Sequence, residues 1–465
     1  MSKKRKRAAR EPRPEAPPSA AAVRPPRDIS GAAAAGILAL GFFAVGLVVD
    51  SGADNSFDAP KRLVAILFVA GSALAALGFS RWRSPFPSGG GRAGAPAIAA
   101  GCLLFALAAA ALSALLSPRR QLSLDALRVV ALYALLLPIG ASRVLGRRKG
   151  FLAAAFIAVA GINAVVSFLQ ARNYWQPFPL LTRGSREATG AFVGNPGYLA
   201  FILALSGVAC LAALLLGRGR LLRAAGCAGA AVSVGGLMIN RNLTSFSAFV
   251  AGAALLLIAR FGRRAAAPLA LLVVFAAAIV LAYRPMRLRA AEAVWAMKQG
   301  DWDHVVTYRL GAWAAAVEMA RDRPWLGFGP GTYGEEFVTH RLRAEVAAHR
   351  RLVNPLLTSS YGEAHCDYLQ PFGEIGVPGS LALLAAVALL FRGLFAALKR
   401  LPPGAARAET FGVLALLSAG AVGALTWFPL QRPISALPLL LLAGRAWRIA
   451  ADTPAIAVPE AGETA

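Results

Sequence analysis

Residues 196–216 read PGYLAFILALSGVACLAALLL, a run of 21 residues without a charged side chain. A helix rises 1.5 Å per residue, so about 20 apolar residues cross the roughly 30 Å hydrocarbon core of a bilayer. This run fits that length, and it is not alone. Eleven further apolar segments lie near 31–49, 62–79, 95–116, 124–141, 151–171, 221–239, 243–259, 265–282, 377–391, 410–428 and 433–450. Ala and Gly are abundant in them, which suits close helix packing in lipid. Segments 221–239 and 243–259 are separated only by Asn240-Arg241-Asn242, a tight hairpin or a re-entrant turn. The whole chain agrees with this reading. Of its 465 residues 57% are hydrophobic and 15% charged, with a mean hydropathy of +0.58. That excludes a soluble multidomain protein and a disordered chain, and four cysteines exclude a disulfide scaffold. The expected fold class is an all-α polytopic membrane protein with about 12 transmembrane helices.

The net charge of +26 first suggests nucleic acid, and Lys3-Lys4-Arg5-Lys6-Arg7 read alone resembles a nuclear-localisation or nucleic-acid tail. The distribution of charge argues otherwise. With the N-terminus inside, the inner segments hold 28 of the 49 Lys and Arg against 7 acids. This is the positive-inside pattern, and no nucleic-acid partner is expected. Residues 1–30 are then a basic cytoplasmic tail and 451–465 a second cytoplasmic tail. Residues 31–282 carry spans 1–9 with a short outer loop at 172–195, residues 283–376 form a large outer loop, and 377–450 carry spans 10–12. The large loop balances 11 basic against 11 acidic residues, the polarity of a small soluble subdomain. Three helices are expected in it. Arg309–Arg321 has Leu310, Trp313, Val317 and Ala320 at helical spacing, with Pro324 ending it. Glu335–Arg351 is the second and Gly362–Phe372 the third.

The chemistry-bearing residues are few. His304, His340, His349 and His365 show no metal spacing, and no cysteine pair does either, so no metal is expected. Gly327-x-Gly329-x-Gly331 follows a helix and lacks a phosphate-binding Lys, so it reads as a turn. Arg241 sits between two spans with no acid near it in sequence. It reads either as a bidentate phosphate ligand or as a side chain snorkelling to headgroups. Arg186 and Arg309 also fall at the outer surface. Arg128 pairs with Asp125 at i, i+3 and reads as structural. On an expected helix His365, Leu369 and Phe372 share one face and Asp367, Gln370 and Glu374 another. A lone His is more often structural. This one stands among acids and outer arginines, where an imidazole suits proton removal near neutral pH.

Several motifs in order carry a resemblance. They are Arg186-x-x-Thr189-Gly190-x-Phe192-x-Gly194-Asn195-Pro196; Leu243-Thr244-Ser245; Tyr308-Arg309-x-x-x-Trp313 with Arg323-Pro324-Trp325-x-Gly327-x-Gly329-Pro330-Gly331; and Ala364-His365-x-Asp367-Tyr368-Leu369-Gln370 with Glu374-x-Gly376-x-Pro378-Gly379. Together they resemble the O-antigen ligase and O-antigen polymerase superfamily of bacterial envelope enzymes. The resemblance implies a periplasmic outer face, an inner-membrane location and a glycan donor carried on undecaprenyl pyrophosphate. The acceptor is lipid A core, another lipid-linked glycan or a protein hydroxyl. It implies no cofactor, metal or nucleotide. It implies that Arg186 and Arg309 hold the pyrophosphate and that His365 is the base, with Asn195, Asp367, Gln370 and Glu374 in support. Two positions depart from the pattern. Phe246 stands where an Arg often follows Ser245, so Arg241 is expected to supply that charge, and Cys366 stands where an Asn often follows the loop His. In-line attack by the acceptor inverts the anomeric centre, and no carboxylate nucleophile is apparent. Polymerase activity, a lipid-glycan transporter and an inactive envelope scaffold are the alternatives.

Overall fold

The computed structural model describes residues 29–53, 55–79, 95–178, 189–352 and 361–453. Among the described residues there are seventeen α-helices and no strand. They are α1 (Ile29–Leu47), α2 (Asp58–Phe79), α3 (Ala95–Leu115), α4 (Arg120–Ala134), α5 (Leu136–Ala141), α6 (Arg143–Ala171), α7 (Pro196–Leu216), α8 (Arg220–Asn240) and α9 (Leu243–Phe261). Then follow α10 (Ala266–Ala282), α11 (Arg284–Lys298), α12 (Trp302–Val305), α13 (Leu310–Asp322), α14 (Tyr333–Ala347), α15 (Gln370–Arg400), α16 (Ala405–Ala424) and α17 (Pro433–Asp452).

Every one of the twelve expected apolar segments falls on a helix, but not all as simple spans. Ten helical stretches are long and apolar enough to cross a membrane, with α4 and α5 together making one of them. Helix α10 qualifies only with α11, and the two are bent by 94°. Pro285 at the start of α11 supplies the break, since its ring cannot continue the preceding helix. The apolar part of α1, Gly31–Leu47, is shorter than the rest.

The sequence of α7 is apolar all round, and a helix of that kind is buried. Leu199 to Leu205 are each at most 1% exposed, packed by α8 and α9. By contrast, Leu271, Val273, Val274, Phe275 and Leu281 of α10 are each more than half exposed. Apolar surface in that quantity is what lipid contact requires. Small residues set the closest approach. A Cβ on Gly140 would lie 2.2 Å from the Leu441 carbonyl oxygen, and one on Gly444 would lie 2.1 Å from that of Leu137, so α5 and α17 touch backbone to backbone.

The loop region differs from expectation in three ways. Helices α11 and α12 precede the first expected helix. Helix α13 forms where expected, but it buries Gly311, Ala312, Ala315, Ala316 and Met319, while Val317 is exposed. The stripe of larger apolar residues is therefore not the packed face; small residues are, because α13 lies close to α14 and α15. The third expected helix, Gly362–Phe372, does not form. Residues 361–369 are irregular, and α15 begins at Gln370 rather than near 377. The supposed common face of His365, Leu369 and Phe372 does not exist, since His365 has φ +55°.

The glycine-rich segment between α13 and α14 is a turn, and it docks on the start of α15. Phe328 N donates to Gly373 O at 2.9 Å, Gly329 N to Glu374 O at 2.8 Å and Val377 N to Pro324 O at 2.7 Å. Ser113 Oγ and Ser117 Oγ of the α3 end donate to the Glu374 and Phe328 carbonyls. Gly376, inside α15, has φ +73°, and a Cβ there would sit 2.4 Å from Trp325 O. Only glycine fits this break.

Candidate functional site

His365 lies in the irregular segment 361–369. The imidazole Nδ1 lies 3.0 Å from Glu363 O. A carbonyl oxygen only accepts, so Nδ1 carries the hydrogen and Nε2 keeps its lone pair. Three rings surround it: Phe428 at 4.6 Å, Tyr361 at 5.0 Å and Trp427 at 5.6 Å between centroids, all edge-on. Burial, with Arg309 and Arg432 adding their positive charge, lowers the His365 pKa to about 4. The side chain is neutral at physiological pH. Burial also raises the pKa of Cys366, the neighbouring thiol, which keeps it protonated and unreactive.

The loop 425–432, between α16 and α17, supplies the other wall. It was expected to lie in part within span 11, but α16 ends at Ala424. Trp427 stacks on Phe428 at 4.8 Å, and the Arg309 guanidinium lies 5.5 Å from the Trp427 centroid. Arg309 and His365 thus both contact Trp427. Arg432 closes the loop. It is 8% exposed and reaches two carboxylates, donating to Asp58 Oδ2 at 2.7 Å and to Glu363 Oε1 at 2.5 Å. Its guanidinium lies 4.7 Å from the Tyr198 ring centre and 5.0 Å from that of Phe428.

The acids expected to support the site are brought together, but as architecture. Asp367 Oδ2 accepts from Leu430 N at 2.8 Å, and Asp367 N donates to Ala424 O at 3.1 Å, which fastens the two loops. Its Oδ1 is buried without a partner, and burial raises the Asp367 pKa to about 8. Gln370 accepts from Ala364 N at 3.0 Å and donates to Glu374 Oε1 at 3.0 Å. Glu374 Oε1 also accepts from Tyr333 N at 3.3 Å. Asn195 is the N-cap of α7, its Oδ1 accepting from Gly197 N at 2.8 Å and Tyr198 N at 3.3 Å.

A separate group of cations lines a cleft. Arg241 occupies the left-handed C-cap between α8 and α9, with φ +52°. It borders a small cleft of about 90 Å³ with Thr244, Arg289, Glu292, His304, Tyr308 and Arg309. It also borders a wide cleft of about 1140 Å³ between α6, α8 and α11. That cleft has polar Arg172, Arg284, Arg289 and Asn240 beside apolar Phe168, Met238, Ile239 and Leu288. Arg241, Arg289 and Glu292 are common to both clefts. Phe246 is buried in the core, and Arg241 stands at the turn one helical turn earlier. Thr244 Oγ1 meets Thr426 Oγ1 at 2.8 Å, so the α9 start and the Trp427 loop are joined. Arg186 lies outside the described residues. Arg128 pairs with Asp125 as expected, on the exposed face of α4.

Seven non-glycine residues among those described have positive φ, and four of them, Arg241, Thr307, Tyr308 and His365, belong to this region. Backbone strain of this kind gathers at functional sites. Sequence reasoning missed Arg289, Trp427, Arg432 and Glu363. The only available signal was an Arg-Pro pair opening a span at 432–433.

Helices with outward apolar faces define a multi-pass membrane protein, and several of its arginines line an amphipathic cleft. The family model described as O-Antigen ligase matches residues 228–384, about a third of the chain. That match supports, for this stretch, the likeness to the O-antigen ligase and polymerase superfamily that the motifs implied. The matched stretch contains Arg241, Arg289, Arg309 and His365 and ends before Trp427 and Arg432. No curated protein matches the chain.

Proposed function

We propose that this protein transfers a glycan from undecaprenyl pyrophosphate to a hydroxyl of lipid A core or a similar acceptor. The reaction takes place on the periplasmic face of the bacterial inner membrane, with both termini of the chain cytoplasmic. The observation that carries this reading is the tautomer of His365, with Nδ1 donating to Glu363 O so that Nε2 keeps its lone pair, beside a Trp427 that Arg309 also contacts. The acceptor hydroxyl attacks the anomeric carbon, and its proton passes to His365 Nε2. The bond from that carbon to the diphosphate oxygen breaks, and undecaprenyl pyrophosphate leaves with the electron pair. Single displacement inverts the anomeric centre. Arg241, Arg289 and Arg309 hold the charge that develops on the leaving group. The apolar side of the wide cleft, Phe168, Met238, Ile239 and Leu288, takes the first units of the prenyl chain.

A bound diphosphate also prepares the base. It offsets the Arg309 charge that helps hold His365 below its ordinary pKa, so the imidazole becomes a stronger base when the donor is in place.

The test is glycan analysis of the host envelope after His365→Ala and, separately, Arg309→Ala, on gels that resolve chain length. Long chains retained on the carrier lipid but absent from lipid A support the ligase. Single repeat units alone indicate a polymerase, which shares the donor and the base. Unchanged glycans with normal protein levels refute the catalytic reading and favour a transporter or scaffold.

A further inference from the structure

Besides the three rings packed on it, His365 is held by a hydrogen bond to one main-chain atom, the carbonyl oxygen of Glu363, which takes the Nδ1 hydrogen at 3.0 Å. Glu363 lies in an irregular segment, flanked by exposed Gly362, and no helix ladder holds it. Its side chain is held instead by Arg432 Nη2, at 2.5 Å. Arg432 is in turn fixed by Asp58 at the start of α2, by Tyr198 of α7 and by Phe428, whose ring also packs on His365. Arg432, Glu363 and Asp58 come from three distant parts of the chain. A guanidinium forks to two carboxylates in a way that a lysine ammonium on a single stem does not.

We propose that Arg432 and Glu363 are positioning residues for the proton-transfer step: the Arg432–Glu363 pair, braced on Asp58, fixes the Glu363 carbonyl and so keeps His365 in the tautomer and orientation that point Nε2 at the acceptor. The proposal rests on His365 being the base. Neither Arg432 nor Glu363 borders the arginine clefts, so their removal acts on turnover and not on donor capture. Removing Arg432 outright would leave the half-buried Glu363 carboxylate without this partner and Asp58 with Arg62 alone, which endangers the fold. Glu363→Ala is the better perturbation, because the Arg432–Asp58 pair survives it.

The experiment measures glycan transfer by the full-length protein in detergent, with lipid-linked glycan and acceptor lipid extracted from the host envelope. Wild type, His365→Gln, Glu363→Ala, Glu363→Gln and Arg432→Lys are compared. We expect Glu363→Ala to lower kcat at least tenfold with the donor KM within twofold of wild type. Glu363→Gln keeps an oxygen that accepts from Arg432 and recovers part of the loss. If Glu363→Ala fails to accumulate, Arg432→Lys is read by the same kcat and KM criterion, since it keeps the charge beside Asp58 but cannot fork to both carboxylates. Unchanged kcat, a loss expressed in KM, or equal loss in Glu363→Ala and Glu363→Gln overturns the tether. Full activity of His365→Gln overturns the base itself, and with it the reading beneath.

Discussion

Replacing His365 with Gln removes a group whose burial has a measurable cost in acid. An ordinary histidine titrates near 6.5, and this one is lowered to about 4. The unfolded chain therefore binds a proton that the folded chain refuses throughout that window. The sign follows: stability is full above about pH 6.5 and is lost as pH falls towards 4. Two and a half units correspond to about 3.4 kcal/mol at the limit, of which about 2 kcal/mol is already lost at pH 5. Glutamine fills a similar space and does not titrate. The assay is thermal unfolding of detergent-purified wild type and His365→Gln at pH 7.5 and pH 5. Every other titrating group is common to both proteins, so the difference of differences isolates His365. Wild type is expected to lose about 2 kcal/mol more than the variant, a few degrees in apparent midpoint. Equal losses would mean that the imidazole is not held neutral, and the argument for a ready base at physiological pH would fall with it.

Three further outcomes are expected. Arg241→Ala and Arg289→Ala each remove a charge-assisted contact worth about 1.5–3 kcal/mol to a diphosphate, so inhibition by inorganic pyrophosphate should weaken roughly 10- to 100-fold in either variant; unchanged inhibition argues against the shared cleft. Asp367 has its pKa raised to about 8, so its stabilising protonated form is full below about pH 4 and lost as pH rises to 8. Asp367→Asn keeps an oxygen for Leu430 N and does not ionise, so it should out-melt wild type at pH 9 and match it at pH 4. Gly376→Ala forces a Cβ to 2.4 Å from Trp325 O at φ +73°, and membrane levels should collapse, while Gly101→Ala, with nothing within 4 Å, should leave them intact.

The spans were legible because a bilayer demands one simple thing, about 20 apolar residues in a row, and the chain writes it openly. Arg309 and His365 drew attention because they stand in ordered motifs beside those spans, and Arg241 because it lies between two spans with no acid near it in sequence. The surroundings of His365 were not legible. Apolar side chains at His365+4 and His365+7 imitate a helix face, whereas bonds to distant residues, among them Leu430, Ala424 and Arg432, hold the irregular path the segment takes. Arg432 itself was invisible, since its partners lie 374 and 69 residues away in sequence. Helix α13 misled for a different reason. Its larger apolar residues formed the obvious stripe, whereas contact with α14 and α15 selected the side lined with Ala and Gly.

The seating of the glycine-rich turn on α15 has a bearing on biogenesis. Ser113 of α3 and Ser117 just beyond it come early in the chain, yet their acceptors are the carbonyls of Glu374 and Phe328, 261 and 211 residues later. During synthesis these hydroxyls enter the membrane long before their partners exist. Arg432 arrives later still, and Asp58, waiting in α2, is joined to Glu363 only then. The surroundings of His365 therefore close only after α16 and the loop that follows it have been made. A polypeptide stalled after α14 holds the arginines of the cleft without the segment that carries His365 or the loop that packs on it.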